Sequence, residues 1–322
     1  ALSIVAVVRF DPAVTASGAY RLGTARVDGE VLFHADGKTA TVDVTRDRAG
    51  VLSIATNGKI DAGRSIDGPP LSDDYTMGML SLLPMAMLPD ARRVAVIGMG
   101  SGTSTDVLLR NPRLQQVDTI EIEPAMVEGA KLYRGATHRV YEDPRSRIHI
   151  EDAKTYFSRA GERYDMILSE PSNPWVSGIS SLFSREFYTQ IKRHINDDGV
   201  FVQWLHLYEI NMPMVATVMN ALAENFDDYL IYSSNDSDII IIAKARGRVP
   251  QLLPRIFELF VQGGCDDRGK AAAHDRTNLI AQRRTGIAHL DRKQVSKERG
   301  LGAINHAERE HLYHDVERYQ QR

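Results

Sequence analysis

Val94-Ala95-Val96-Ile97-Gly98-Met99-Gly100-Ser101-Gly102 decides how this chain folds. A short apolar run stops at three glycines, each separated from the next by one residue. Such a run reads as a buried strand, and the glycines as the turn through which the chain enters a helix. Nineteen residues after Gly102 a second apolar run, Thr119-Ile120-Glu121-Ile122-Glu123, reaches an acid. Strand, glycine loop, helix, strand and acid is the order in which a doubly wound α/β sheet holds a nucleoside. The glycines let the backbone approach the ligand, and the acid accepts hydrogen bonds from the ribose hydroxyls. The nucleoside-binding set read here is Gly98, Gly100, Ser101, Gly102, Glu121 and the neighbouring Ile122.

The spacing narrows the ligand. A dinucleotide loop reads G-x-G-x-x-G/A, whereas here the pattern is G-x-G-x-G and Thr103 fills the place kept small. There is no Walker lysine, and no Arg or Lys in the loop to meet a pyrophosphate. S-adenosylmethionine or a relative, whose nucleoside carries a sulfonium instead of phosphates, suits the loop better.

At 322 residues the chain can bury a full core and more than one folding unit. A net charge of −3 and the lack of a basic stripe with interleaved aromatics argue against a nucleic-acid partner. The single cysteine, Cys265, excludes an intrachain disulfide and fits a reducing compartment, so a cytoplasmic location is expected. Its neighbours give it no cationic activation, and an inert thiol is the expectation. No apolar run reaches the ~18 residues of a membrane helix. The apolar start, Ala1 to Val8, reads either as a first strand or as the remnant of something removed upstream.

Residues 20–68 read as β structure. Glu30-Val31-Leu32-Phe33-His34 and Thr39-Ala40-Thr41-Val42-Asp43-Val44 flank Asp36-Gly37, a hairpin signal, and Val51-Leu52-Ser53-Ile54-Ala55-Thr56 leads into Asn57-Gly58, a second one. Ser72-Asp73-Asp74 offers an N-cap for an apolar helix running through 77–87. From Arg93 strands are expected at 93–98, 117–122, 146–150, 164–169, 199–205 and 238–243, with helix-length segments between them. This alternation predicts a mostly parallel sheet covered by helices on both faces. The expected organisation is a small N-terminal β domain over 1–70, a Rossmann-like nucleoside-binding domain over 71–250, and a polar helical extension over 251–322 with one helix at 252–261.

Ligands of such sheets bind at the carboxyl ends of the strands. Those ends carry the glycine loop, Glu121, Asp152 with Ala153, and Glu170. Asp152 can accept a bond from an adenine amino group or cap the helix that starts near Lys154. Ser169-Glu170-Pro171-Ser172-Asn173-Pro174-Trp175 is stiffened by two prolines, which suits a loop that must keep its shape beside a ligand. A carboxylate there can stabilise a cation and take a proton from an attacking amine, so Glu170 is the leading catalytic candidate. Tyr75, at the helix start, is a second catalytic candidate. His34, Asn173 and Gln203 are candidates for substrate contacts, while Trp204 reads as core. His306, His311 and His314 with Glu308 and Glu310 lack clean ligand spacing, so no metal site is expected.

Taken together, these segments resemble the spermidine synthase (polyamine aminopropyltransferase) family over residues 28–245. The branch they are most similar to fuses this domain to a membrane segment. The features that carry the likeness are the hairpins, 94–102, Ile120-Glu121-Ile122-Glu123, Glu151-Asp152-Ala153, 164–175, 181–188 and Gly199-Val200-Phe201-Val202-Gln203-Trp204. The resemblance implies a small β domain followed by a Rossmann-like class I methyltransferase fold, a homodimer, and an upstream membrane domain in the full-length protein. It also implies decarboxylated S-adenosylmethionine as co-substrate, a small amine as acceptor and methylthioadenosine as product. It assigns ribose to Glu121, adenine to Asp152, and the family's catalytic aspartate position to Glu170.

The chain departs from that family at three places. Ser101 stands where the glycine loop normally carries an aspartate, Asn173-Pro174 where the later loop has Asp-Pro, and Thr76 where the family has its tyrosine. Each missing carboxylate weakens attraction for a diamine. A serine at 101, unlike an aspartate, would not repel the carboxylate of intact S-adenosylmethionine. Two alternatives therefore stand beside aminopropyl transfer: a methyltransferase-like enzyme using intact S-adenosylmethionine, and a non-catalytic module sensing the nucleoside or a polyamine.

Overall fold

In the computed structural model, which describes residues 11–19, 23–159, 161–176, 178–235, 237–250 and the backbone of 282–283, the apolar run forms strand β5 (Arg93–Ile97). It lies between two parallel neighbours, β6 (Gln116–Glu121) and β8 (Tyr164–Ser169). All four residues of 94–97 are buried, as a strand covered on both faces requires. Their alternation sorts them. Val94 and Val96 pack with Leu80, Leu83 and Met87 on one face, whereas Ala95 and Ile97 pack with Phe157, Phe187 and Ile191 on the other.

Adding β7 (Ser146–Ile150), β9 (Ile195–His206), β10 (Asp228–Asn235), β11 (Asp238–Lys244) and β12 (Gln282–Arg283) gives an eight-stranded sheet of order β12-β10-β11-β9-β8-β5-β6-β7. The chain leaves β5 toward β6 on one side and returns to β8 on the other. That reversal opens a crevice at the carboxyl ends of β5 and β8. β10 was not expected from the sequence. Its Tyr-Leu-Ile-Tyr centre has strand-type residues, but it forms a hairpin with β11, which runs antiparallel to both β10 and β9. The βα rhythm therefore runs through the helix Met212–Ala223 to β10 and stops there.

The N-terminal region is a four-stranded antiparallel sheet, β1 (Glu30–Asp36), β2 (Thr41–Arg46), β3 (Val51–Thr56) and β4 (Lys59–Ser65). The expected Asn57-Gly58 turn is present, with φ of 50° and 74°. Positive φ at both central residues is what a tight hairpin turn of matching twist requires. One face of this sheet, with Val42, Val44, Ile54 and Ala62, packs on Met99 of the glycine loop and on Met126, Tyr133 and Val140. The small sheet thus shares a core with the elements around the large sheet.

Helix α1 (Ser72–Met87) runs under the large sheet. Its start differs from the expected cap. Leu71 is the capping residue and the Asp74 carboxylate reaches back to its N–H at 3.0 Å, while Asp73 accepts from Gly63 N at 2.9 Å. Both acids are spent tying the helix start to β4 and its own cap. The expected helix at 252–261, Cys265, the apolar start at 1–8 and the histidines of 306–314 lie outside the described residues.

Glu123 joins the two sheets. It starts helix α2 (Pro124–Ala130) by accepting from Ala125 N, and its other oxygen accepts from Thr39 N at 2.6 Å, Thr39 Oγ1 at 2.8 Å and Ala40 N at 3.2 Å. Burial alone would raise its pKa, but these bonds outweigh it and hold the pKa below the usual range. Glu123→Ala orphans these donors and removes a cap, so a loss of about 2–4 kcal/mol is expected in denaturant unfolding. Because the folded pKa is depressed, this contribution is present above the ordinary glutamate range. It fades as pH falls through the folded value, so the difference between the two proteins should shrink in acid.

Candidate active site

The glycine loop follows β5 directly. Gly98 has φ +89°, and a Cβ there would lie 2.9 Å from the Glu170 carbonyl oxygen. Only glycine lets the two loops at the crevice pass this closely. Gly102 (φ +81°) begins the short helix α3 (Thr103–Leu109), and a Cβ on it would press against Val140. Gly100 also has positive φ. Between them Ser101 is buried, and its hydroxyl meets Thr103 Oγ1 at 2.9 Å.

Glu121 ends β6 beside this loop. Its Oε2 accepts from Met99 N and its Oε1 from Glu123 N, both at 2.9 Å. The carboxylate therefore fixes the loop's backbone while retaining a second lone pair on each oxygen. Burial pushes its pKa up to about 7, opposed by those N–H bonds and reinforced by the negative Asp61 nearby. Ile122, next along, is 44% exposed.

Glu170 follows β8, its N–H bonded to Ile97 O at 2.9 Å. Its Oε2 accepts from Ser104 Oγ at 2.8 Å, and its Oε1 is sealed from solvent with no partner among the described residues. Burial pushes its pKa up to about 8, with the Ser104 bond a smaller opposing effect. A carboxyl in that state is mostly neutral at pH 7, and an arriving cation would favour its ionised form. The group can therefore receive positive charge without a standing counter-ion.

Further along the same loop, Ser172 Oγ donates to Asp61 Oδ1 at 2.7 Å, and Asn173, 1% exposed, donates to Tyr208 O at 3.4 Å. Asp61 and Tyr208 both line a cavity of about 240 Å³, together with Asp73, Trp204, His206 and Asp238. Three carboxylates and three aromatic rings suit an ammonium group. Asp61 is met by Lys59 Nζ at 3.0 Å. The Asp73 pKa is raised, by burial first and by Asp238 next. Sequence reasoning missed this cavity because its acids come from β4, the start of α1 and the start of β11. One signal was present: Trp204, His206 and Tyr208 alternate along the end of a strand, which puts them on one face.

The remaining candidates fall elsewhere. Asp152 caps helix α4 (Ala153–Arg159), accepting from Thr155 N at 2.8 Å and Thr155 Oγ1 at 2.9 Å, with Ala153 buried at the helix start. Tyr75 is 46% exposed on α1, while Thr76 beside it is buried and bonded to Ser234 Oγ at 2.9 Å. His34 lies across the small sheet from Asp43, with Nδ1 2.6 Å from Asp43 Oδ1. Gln203 is fully buried, donating to Ser169 O at 3.2 Å and Trp204 O at 2.9 Å, so it ties the ends of β8 and β9 together. Among the described residues no group of His, Cys, Asp or Glu could hold a metal ion. None of their helices is long and apolar enough to cross a membrane.

The state of Glu170 gives a binding prediction. A cationic sulfonium nucleoside should lower its pKa, so binding at pH 7 should release up to about 0.9 proton. Calorimetry in buffers of differing ionisation enthalpy reads this number, and Glu170→Gln should cut it by more than half.

Comparison with known proteins fits this arrangement. The polyamine aminopropyltransferase of Pyrobaculum calidifontis is 32% identical over 123 residues, covering 37% of this chain and 43% of the relative. That of Yersinia pestis is 27% identical over 157 residues, covering 48% and 53%. The chain thus spans about half the length of the curated relatives it matches. The crystal structure of spermidine synthase from Thermotoga maritima superposes with a TM-score of 0.58 at 16% identity, over 78% of this chain and 80% of that one, and shares the fold. The family model of the spermine/spermidine synthase domain matches residues 74–234, the stretch holding the glycine loop, Glu121, Glu170 and the aromatic side of the cavity, and this chain belongs to that family.

Proposed function

We propose that this chain transfers an aminopropyl group from decarboxylated S-adenosylmethionine to a small di- or polyamine, releasing methylthioadenosine. The observation that carries this reading is the double attachment of the loop after β8. Its Glu170 carboxyl faces the glycine loop through Ser104, while its Ser172 and Asn173 reach the acidic, aromatic cavity through Asp61 and Tyr208. One rigid segment thus borders both a nucleoside cradle and a cation pocket.

The chemistry needs that adjacency. The amine lone pair attacks the methylene beside sulfur, the C–S bond breaks, and its electrons neutralise the sulfonium. Glu170, once ionised by the incoming cation, stabilises positive charge at the reacting centre in a buried setting where such interactions are strong. Asp61, Asp73 and Asp238 would hold the far end of the acceptor.

A second reading, an enzyme using intact S-adenosylmethionine, is favoured by one observation: Ser101 puts no carboxylate in the loop to repel the methionine carboxylate. Incubation with each nucleoside, with and without putrescine or spermidine, separates the readings by mass spectrometry. Methylthioadenosine with an extended amine supports aminopropyl transfer, and S-adenosylhomocysteine supports the second reading. Saturable binding without either product supports a sensing module.

A further inference from the structure

The Glu170 carboxyl has a single side-chain partner among the described residues, the Ser104 hydroxyl, 2.8 Å from Oε2. Ser104 is 3% exposed on the first turn of α3, yet it caps nothing: the helix starts at Gly102 without a side-chain cap. Its Oγ has a second acceptor within reach, the Met77 carbonyl oxygen of α1 at 3.4 Å. Its backbone is held by the fully buried Ser81, whose hydroxyl donates to Ser104 O at 3.0 Å. A hydroxyl has one proton to donate and two lone pairs to accept with. Held at its backbone and placed between two acceptors, this one can turn its proton to either.

We propose that Ser104 is a positioning residue that holds the Glu170 carboxyl in one place through both of its protonation states. This role rests on the aminopropyl-transfer reading. While Glu170 is neutral, its O–H donates to Ser104 Oγ and the Ser104 proton points to Met77 O. When a cationic ligand arrives, the O–H bond of the carboxyl breaks and its proton passes to solvent. The Ser104 proton then swings to Oε2 and makes a charge-assisted bond to the carboxylate. Glu170 thus changes charge without leaving its site beside Gly98, and neither state leaves Oε2 without a partner. Burial alone keeps Glu170 neutral, with its pKa pushed up to about 8, and the Ser104 bond is what opposes this. The charged and titratable groups of the surrounding elements contribute nothing to that shift: Lys59 and Asp61 of β4, Asp73 of α1, Glu121 of β6, His206 of β9 and Asp238 of β11. The glycine loop and α1 present only the Gly98 backbone and the Met77 carbonyl here.

The test follows kcat/KM with decarboxylated S-adenosylmethionine and putrescine over pH 6–10 in the unmodified chain, Ser104→Ala and Ser104→Thr. Without a hydroxyl the carboxylate loses more than the neutral acid does. The rise of kcat/KM with pH should therefore move up by about one pH unit in Ser104→Ala. That is about a tenfold loss at pH 7, shrinking to less than about twofold by pH 10. Ser104→Thr, which keeps the hydroxyl, should restore the unmodified profile. A ¹³C carboxyl titration, with the Glu170 signal assigned by its absence in Glu170→Gln, should show the same upward shift in Ser104→Ala without any turnover. Should Ser104→Ala fail to fold, Ser104→Cys, whose thiol is a poor donor, carries the same expectation. A residue with only a packing role would lower kcat/KM equally at every pH. That result, or an unmoved Glu170 midpoint in a chain that forms methylthioadenosine, overturns the proposal and leaves aminopropyl transfer standing. A shifted midpoint in a chain that forms no methylthioadenosine overturns aminopropyl transfer and leaves the hold of Ser104 on Glu170 standing.

Discussion

Glu170→Gln should abolish most turnover while leaving the nucleoside site intact. Gln keeps the size of the side chain and an acceptor for Ser104, so the loop geometry at Gly98 is preserved. What it removes is the capacity to become negative when a cation arrives. In a site this buried that capacity is the main electrostatic asset, and loss of such a group costs roughly 10²- to 10⁴-fold in kcat. The nucleoside dissociation constant should change by less than about tenfold, since the glycine loop and Glu121 keep their geometry in this variant. A control comes from pH. Glu170 has a folded pKa of about 8 against its usual 4.5. For a carboxyl raised in this way, the stability it contributes is full below its unfolded pKa and declines as pH rises through the folded value. Between pH 5 and pH 9 the unmodified chain should therefore lose more thermal stability than Glu170→Gln does. Similar slopes would mean the carboxyl is not buried neutral.

Glu121→Gln should do nearly the opposite, disabling binding more than chemistry. Both oxygens of Glu121 accept from backbone N–H groups, one in the glycine loop and one at the start of α2. An amide must turn its own donor toward one of them. That leaves two buried donors face to face, costing about 1–3 kcal/mol, and releases Met99 from its place over the small sheet. The loop can then no longer present its backbone to the nucleoside. Affinity should fall at least about tenfold with stability, whereas kcat at saturating nucleoside should fall far less. A large kcat loss at unchanged affinity would move Glu121 from binding into catalysis.

Much of the fold was legible in the chain itself, as was the place of each candidate residue in it, and the reasons differ by element. The glycine loop, Glu121 and Glu170 each lie within a few residues of a strand end, where local pattern fixes position. The Asn57-Gly58 turn was legible because its backbone demands positive φ. The acidic cavity was not, because its walls come from β4, α1, β9 and β11, far apart in sequence and brought together only by the sheet order. Ser72-Asp73-Asp74 read as an N-cap, but Leu71 takes that place with Asp74 accepting from its N–H, and Asp73 is shared between β4 and the cavity. His206 carried no motif, and it meets Asp238, 32 residues on, only across the sheet. Thr76 and Tyr75 show the limit of spacing arguments: a shift of one residue on a helix exchanges a buried side chain for an exposed one.

The proposed coupling of a nucleoside cradle to an amine pocket through one loop serves group transfer. It is tested most directly by the stoichiometry of products from decarboxylated S-adenosylmethionine and ¹⁵N-labelled putrescine. Equal amounts of methylthioadenosine and of a labelled amine heavier by one aminopropyl unit are expected. Nucleoside consumption without a labelled extended amine, or no consumption despite saturable binding, would contradict it.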